Sequence, residues 1–391
     1  MVRRIAQDRV EAAAASFPVV TLTGPRQSGK TTLCRAAFPD KAYVNLESPD
    51  HRAFALEDPR GFLAQFPQGA ILDEIQRTPE LPSYLQGLVD AEPVKGRWIL
   101  TGSQNLGLMD SVSQSLAGRT AVLHLMPLSL DELMAFPNAP NTLDEVLFCG
   151  GYPRIFDQNI PAADWLASYV ATYLDRDVRQ ISQVGDLTVF QKFLGLCAGR
   201  TGQQLNYSNL AADCGVSQPT AKHWLSILEA SFLVYLQPSW SGNHRKRLVK
   251  MPKMHFMDVG LACWLLGIRA PEHLSLHPLR GALFESWVLS EIRKHRLHRG
   301  QPGTLHYYRD HGGGEADLLL ETPQGMILAE VKAGQTISSE AWKGLSRVAQ
   351  GFANGQGCQQ MVVYGGEEEQ ARKDVLVLPW RAVQDIAWCG E

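Results

Sequence analysis

The run Gly24-Pro25-Arg26-Gln27-Ser28-Gly29-Lys30-Thr31-Thr32 constrains this chain more than any other stretch. It follows the apolar run Val19-Val20-Thr21-Leu22 and precedes the helix-like Leu33-Cys34-Arg35-Ala36-Ala37. Strand, glycine-bearing loop and helix are the context that the pattern G-x-x-x-x-G-K-[ST] needs before it counts. The glycines let successive backbone N–H groups turn inward around a phosphate, and the following helix points its positive end at the same place. The pattern assigns Lys30 to the β- and γ-phosphates and the Thr31 hydroxyl to Mg²⁺. The ligands expected from it are ATP and Mg²⁺.

Two further strands fit the same site. Gly69-Ala70-Ile71-Leu72-Asp73-Glu74 is an apolar run ending in two carboxylates, with Asp73 placed to hold the Mg²⁺ ion and Glu74 to orient an attacking water. Trp98-Ile99-Leu100-Thr101 runs into Gly102-Ser103-Gln104-Asn105, where Ser103 or Gln104 is placed to sense the last phosphate. A cation must also meet the charge on the transferring group, from the same chain or a neighbour. Arg119 in Ala117-Gly118-Arg119-Thr120 is the first candidate, ahead of Arg154 and Arg176.

The first 135 residues alternate apolar runs with helix-like segments, the pattern of a parallel sheet flanked by helices. The expected fold class is α/β: a P-loop NTPase core with a parallel sheet, a winged-helix-like helical domain, then an α/β nuclease-like domain. The expected divisions are 1–135 for the core, 136–189 for a helical lid or linker, 190–250 for the helix-turn-helix, and 251–391 for the last domain. The full length of 391 residues accommodates them. Net charge of −3 gives no whole-chain argument for nucleic acid, so local clusters must carry that case. Seven cysteines without C-x-x-C spacing suggest neither disulfides nor zinc, and no apolar run approaches a membrane span. The cytoplasm is the compartment expected.

Leu210 to Leu225 has the texture of a helix-turn-helix: Gly215 suits the turn, Ser217 caps the second helix and Pro219 suits its first turn. Val216, Leu225 and Leu228 would pack inward, leaving Gln218, Thr220, Lys222 and His223 to face outward as DNA contacts. Arg245, Lys246 and Arg247 follow the apolar Phe232–Leu236 run as a wing would. Further on, Glu285 falls on a helix by pattern, Asp317 follows a glycine-rich turn, and Glu330 and Lys332 share one face of a strand. Such carboxylates, meeting a lysine, can hold Mg²⁺ for phosphodiester attack. Their spacing resembles the PD-(D/E)xK nucleases, although Ala316 stands where proline commonly precedes the aspartate. A structural ion-pair network is the alternative.

The phosphate loop, Leu-Asp-Glu-Ile-Gln, Leu-Thr-Gly-Ser, Gly-Arg-Thr and Gly-Gly-Tyr-Pro occur in the order seen in a family of bacterial and archaeal AAA-type ATPases. That family (AAA_14-like) carries a C-terminal domain of unknown function, DUF4143. The resemblance implies an extra strand between the phosphate-loop strand and the Asp-Glu strand, and leaves room for a ring-shaped homo-oligomer. The leading functional expectation is an ATPase acting on DNA, with nucleotide turnover coupled to the later domains. The alternative is a nucleotide-controlled switch that binds protein partners and carries an inactive nuclease-like domain. A metabolic kinase would leave the C-terminal half unexplained.

Overall fold

All six residues of strand β1 (Val19–Gly24) are buried, as befits the middle of a parallel sheet covered on both faces. The computed structural model describes residues 2–103, 114–174, 187–241, 251–301, 303–310, 312, 314–352, 357–372 and 374–388. Around β1 lie β2 (Ala42–Asn45), β3 (Ala70–Asp73), β4 (Trp98–Ser103) and β5 (Thr120–His124) in the order β2-β3-β4-β1-β5, all parallel. β4 therefore separates the phosphate-loop strand from the Asp-Glu strand, the arrangement implied by the resemblance.

Helix α1 (Ala6–Ala14) packs its buried Ala6, Val10, Ala13 and Ala14 with Val20, Leu22, Ile71 and Ile99, forming one apolar layer on the sheet. The other face holds Leu72, Leu100 and Trp98 against α4 (Pro59–Ala64) and α5 (Leu81–Ala91), which follow α2 (Lys30–Ala37) and α3 (Pro49–Glu57) in the chain. Burying each such side chain contributes about 1.5–3 kcal/mol. These elements form one compact unit, Met1–Leu128 with Ala230–Phe232 and Leu297–Gln301.

The second unit comprises Ser129–Glu229, Leu233–Arg296 and Pro302–Glu391. It opens with short helices including α6 (Leu143–Cys149), whose first turn is closed by Thr142 and Glu145 capping each other's backbone N–H. Next comes α7 (Leu187–Ala198), then β6 (Gln203–Gln204), α8 (Tyr207–Cys214) and α9 (Gln218–Ala230). Asn206 caps α8 by accepting from the N–H groups of Ser208 and Asn209, and Gly215 at φ 81° turns the chain into α9. β7 (Val234–Gln237) and β8 (Lys253–Phe256) pair antiparallel, and with β6 make a sheet ordered β6-β8-β7.

Residues 253–256 thus complete the sheet that follows the helix pair, a few residues beyond the expected division at 250. A strand cannot be parted from the partner that satisfies its backbone.

After α10 (Val259–Leu265) and the long α11 (Arg280–His298) come β9 (His306–Arg309), β10 (Glu315–Thr322) and β11 (Gly325–Lys332) as an antiparallel meander. Helix α12 (Lys343–Phe352) then leads to β12 (Cys358–Tyr364), which adds parallel to β11. β13 (Gln370–Arg372) and β14 (Val375–Pro379) finish a six-stranded sheet. The helix-turn-helix and this sheet belong to one compact unit rather than two separate domains.

Candidate functional site

The first site gathers at the carboxyl ends of β1, β3 and β4. Gly24 ends β1 at φ 149°, and a Cβ there would stand 2.1 Å from the Leu125 carbonyl oxygen, so only glycine fits. Gly29, at φ 94°, turns the loop into the amino end of α2. Lys30 is buried, and its ammonium donates to the carbonyls of Gly24 (3.0 Å) and Pro25 (2.8 Å), folded across the loop. Burial lowers its pKa, the charges of Glu74 and Asp73 pull it back up, and Arg26 adds to the lowering. The Ser28 hydroxyl is fully buried in the loop and has no hydrogen-bond partner among the described residues.

Asp73 is the hub of this site. Its Oδ2 accepts from the Thr31 hydroxyl at 2.9 Å and the Tyr43 hydroxyl at 2.7 Å, and its Oδ1 accepts from Thr101. Three separate elements therefore fix one carboxylate beside the first turn of α2. Glu74, next in the chain, holds a left-handed φ of 58°, uncommon outside glycine and concentrated at functional sites. The Gln76 amide donates to Glu74 and, at 3.1 Å, to the Ser103 hydroxyl, so the ends of β3 and β4 are linked through side chains.

A hydroxyl beside a carboxylate is the donor set Mg²⁺ prefers, and the orphaned Ser28 hydroxyl with the inward-facing loop suits a phosphate chain. Gln104 lies outside the described residues.

Arg119 does not join this group. Its carbonyl accepts from Val19 N–H, placing it level with the first residue of β1, whereas the loop begins after the last. Five strand steps separate the two levels, roughly 16 Å. Its guanidinium pairs with both oxygens of Asp90 on the surface. Arg119 therefore stands away from the phosphate loop of its own chain. Arg154 lies on a short helix of the second unit, and Arg176 is outside the described residues.

Arg4 is a residue that sequence reasoning missed. It is buried, and its guanidinium donates to the carbonyls of Ser28 (2.7 Å) and Met126 (2.7 Å), bracing the loop against the chain leaving β5. Tyr43, Thr101 and Gln76 were missed as well, although Thr101 and Gln76 stand inside motifs that point to the site.

The second cluster lies in the other unit. Glu285 on α11, Asp317 on β10 and Glu330 with Lys332 on β11 do converge, but an unforeseen lysine enters among them. Lys253 on β8 donates to Glu285 (2.8 Å) and to Asp317 (3.1 Å), while Lys332 pairs with Glu330 at 2.6 Å. The second Asp317 oxygen accepts from Val331 N–H at 3.0 Å. Burial and the nearby Asp317 charge raise the Glu285 pKa to about 8 and that of Glu330 to about 7. Burial opposes the Lys253 charge, but Asp317 and Glu285 together hold its pKa above the usual lysine range.

Among the described residues no group of three or more His, Cys, Asp or Glu side chains is arranged to hold a metal ion. In the expected set Glu285, Asp317 and Glu330, the Lys253 ammonium stands between the first two members.

The polar links continue inward. The Gln237 amide donates to the Asp317 carbonyl (2.8 Å), and its oxygen meets His255 Nε2 at 3.1 Å. His255 Nδ1 lies 3.0 Å from the Ser286 hydroxyl, which bonds Thr201 at 2.8 Å. Burial and the Lys253 charge lower the His255 pKa to about 3.

On the helix-turn-helix, Gln218, Lys222 and His223 are exposed and Thr220 is half-buried, while Leu225 and Leu228 are buried as expected. Val216 is only half-buried. Gln218 reaches the Ser208 hydroxyl at 3.1 Å, and the Lys222 ammonium stands 5.2 Å from the Tyr207 ring centroid. Arg245, Lys246 and Arg247 lie outside the described residues.

The parallel sheet with its phosphate loop and the Thr31–Asp73 contact define a P-loop ATPase of the AAA type. Family models agree: residues 16–134 match an AAA domain, 140–272 a domain of unknown function (DUF8612), and 280–383 another (DUF4143). Uncharacterized proteins of Mycobacterium bovis and Mycobacterium tuberculosis are each 31% identical over 381 residues, spanning 96% of this chain and 82% of the relative. The chain belongs to the family of these mycobacterial proteins.

Among solved structures, the Walker-type ATPase PABY2304 of Pyrococcus abyssi aligns over 67% of this chain and 95% of its own, at 15% identity and a TM-score of 0.41. AMPPCP-bound DnaA from Aquifex aeolicus aligns over 57% and 86%, at 14% identity and a TM-score of 0.30. At such scores neither likeness adds weight to the family match. Among the described residues no helix is long and apolar enough to cross a membrane.

Proposed function

We propose that this chain is a Mg²⁺-dependent ATP hydrolase that engages DNA through the outer face of α9, with its buried carboxylate cluster serving as a structural lock rather than a nuclease centre. The observation that carries the hydrolase reading is the Thr31 hydroxyl bonded to Asp73 Oδ2, with Glu74 immediately beyond. Thr31 and Asp73 would hold the metal ion, which when bound neutralises charge on the phosphates. Lys30 leaves the loop carbonyls for the β- and γ-phosphates, and the loop amides from Gly24 to Thr32 surround them. Glu74 orients the attacking water. Gln76 ties it to Ser103, so the base and the sensor at the end of β4 move together.

The DNA reading is supported by the exposed Gln218, Lys222 and His223 on the second helix of the helix-turn-helix, with Thr220 beside them. The ladder of β7 and β8 that follows the helix pair supports a winged-helix reading, in which the basic run Arg245-Lys246-Arg247 would extend the phosphate contacts. Against cleavage stands Lys253, whose ammonium takes the position between Glu285 and Asp317 that a metal would need. Arg119 is left to act, if at all, on the nucleotide of a neighbouring copy in a homo-oligomer.

Turnover of ATP measured with and without duplex, forked and single-stranded DNA, following DNA integrity in the same tubes, tests this reading. Stimulated turnover with intact DNA is the expected result. Turnover indifferent to every DNA points instead to the switch that binds protein partners. Mg²⁺-dependent cutting that disappears in Asp317→Ala overturns the structural assignment of the cluster.

A further inference from the structure

Of the three hydroxyl groups on Asp73, two come from elements already tied to the phosphate site. Thr31 opens α2 and Thr101 lies on β4, the strand beside β3. The third, Tyr43 at 2.7 Å, belongs to the edge strand β2 and to no motif of the site. Asn45 pairs with Asp73, so Tyr43 lies two residues short of that level, roughly 7 Å down the strand. A side chain as long as tyrosine spans that gap. Its ring packs against the apolar layer that includes Leu33 and Cys34 of α2, and the Arg35 guanidinium carbon stands 5.1 Å from the ring centroid.

An ionised carboxylate offers about four lone-pair directions, two on each oxygen. Thr31 and Tyr43 take both on Oδ2, and Thr101 takes one on Oδ1. The Thr31 hydroxyl can give its proton to Asp73 and still offer a lone pair to a metal ion. A cation seated on Thr31 finds no open direction on Oδ2, so a direct bond there requires breaking the contact from Tyr43. Oδ1 keeps one open direction, but two-oxygen chelation needs one on each. Mg²⁺ tolerates this arrangement, because it binds oxygen at about 2.0–2.1 Å, dehydrates reluctantly and keeps several of its waters. Ca²⁺ does not, since it collects about six to eight oxygens at about 2.3–2.6 Å and takes carboxylates directly.

We propose that Tyr43 sets the metal preference of this site: by filling the second lone pair of Asp73 Oδ2, it keeps the carboxylate usable by hydrated Mg²⁺ and closed to direct binding of Ca²⁺. Tyr43 is a positioning residue that acts through Asp73. The proposal rests on the hydrolase reading above, in which Thr31 and Asp73 hold the ion.

The test uses full-length wild type, Tyr43→Phe, Tyr43→Leu and Lys30→Ala. Calorimetry with the non-hydrolysed analogue AMPPCP gives its affinity without metal, with Mg²⁺ and with Ca²⁺, and thermal melting is the folding control. Tyr43→Phe removes one oxygen and keeps the ring. Its metal-free and Mg²⁺-supported affinities are expected within about threefold of wild type, while the ratio of Ca²⁺- to Mg²⁺-supported affinity rises about tenfold. Tyr43→Leu also lacks the hydroxyl and is expected to move the ratio the same way, which keeps the test decisive should the first variant not fold.

A ratio that stays within about threefold of wild type in the folded variants overturns the proposal. So does an equal fall in affinity with both cations, the mark of a purely structural role. If wild type binds the analogue no better than Lys30→Ala does, the hydrolase reading itself fails and takes the metal assignment with it, an outcome distinct from an unmoved ratio.

Discussion

Glu74 sits where the backbone is least comfortable for a side chain, at φ 58°, between a buried strand and a single turn. Such strain costs of order 1–3 kcal/mol and is retained where a carboxylate must face a defined point. Glu74→Gln is expected to leave Mg-ATP binding intact while lowering the single-turnover rate by about 100-fold or more, read by quench flow. Normal hydrolysis in that variant would remove Glu74 from the mechanism. Arg4→Met strips the Ser28 and Met126 carbonyls of a buried charged donor and is expected to cost about 2–4 kcal/mol in urea unfolding. The phosphate loop was legible in the sequence because its chemistry is carried by contiguous backbone and one lysine. Arg4, Tyr43 and Lys253 were not, since each meets partners that lie far off in the chain; Tyr43, for one, meets Asp73 because Asn45 pairs with Asp73 across β2 and β3. The place of Arg119 was not legible either, as its sequence neighbours say nothing of which end of the sheet it occupies.

The strands β7 and β8 do more than close a small sheet, because they carry Gln237, Lys253 and His255 into the cluster of Glu285 and Asp317. Glu285 has a folded-state pKa near 8 against an ordinary 4.5, so the native state holds the proton more tightly than the unfolded chain. Stability from this group is therefore fully present below about pH 4.5 and is lost as pH rises toward 8. Glu285→Gln keeps the acceptor for Lys253 without the charge. Its melting temperature relative to wild type is expected to rise steadily between pH 5 and pH 8, and a pH-independent difference would show that the carboxyl is not perturbed. Helix α10 meets α6 at glycine: a Cβ on Gly260 would lie 2.7 Å from Gly150 N and 2.8 Å from the Cys149 carbonyl carbon. Gly260→Ala is expected to lower stability by about 1–3 kcal/mol in urea unfolding, and an unchanged midpoint would mean the contact is not tight. The Gly150-Gly151 pair was visible in the sequence as a motif. Its reason was not, for the Asp258 carboxylate that accepts from Gly151 N–H lies far along the chain. Strand β12 was missed because only Met361–Tyr364 is buried, an apolar run too short to tell strand from helix by periodicity.

At the scale of the whole molecule, the AAA core and its parallel sheet followed from alternating apolar runs and a contiguous motif. The expected divisions at 189 and 250 fall inside one compact unit, because buried polar side chains join the helix-turn-helix to the later sheet, and no composition shift marks such a joint. Lys253 also changes the functional balance, since the same carboxylates that suggested cleavage are held by an ammonium. What remains central is the grip of the amino-terminal loop on a triphosphate, on which hydrolysis and coupling to DNA both depend. Isothermal calorimetry of Mg-ATP with the full chain, run beside Lys30→Ala of matched thermal stability, tests it most directly. Saturable heat at a single site in the wild type, lost in the variant, is the predicted result. A folded wild-type chain that takes up no nucleotide, or a Lys30→Ala chain that binds it equally well, would contradict the account.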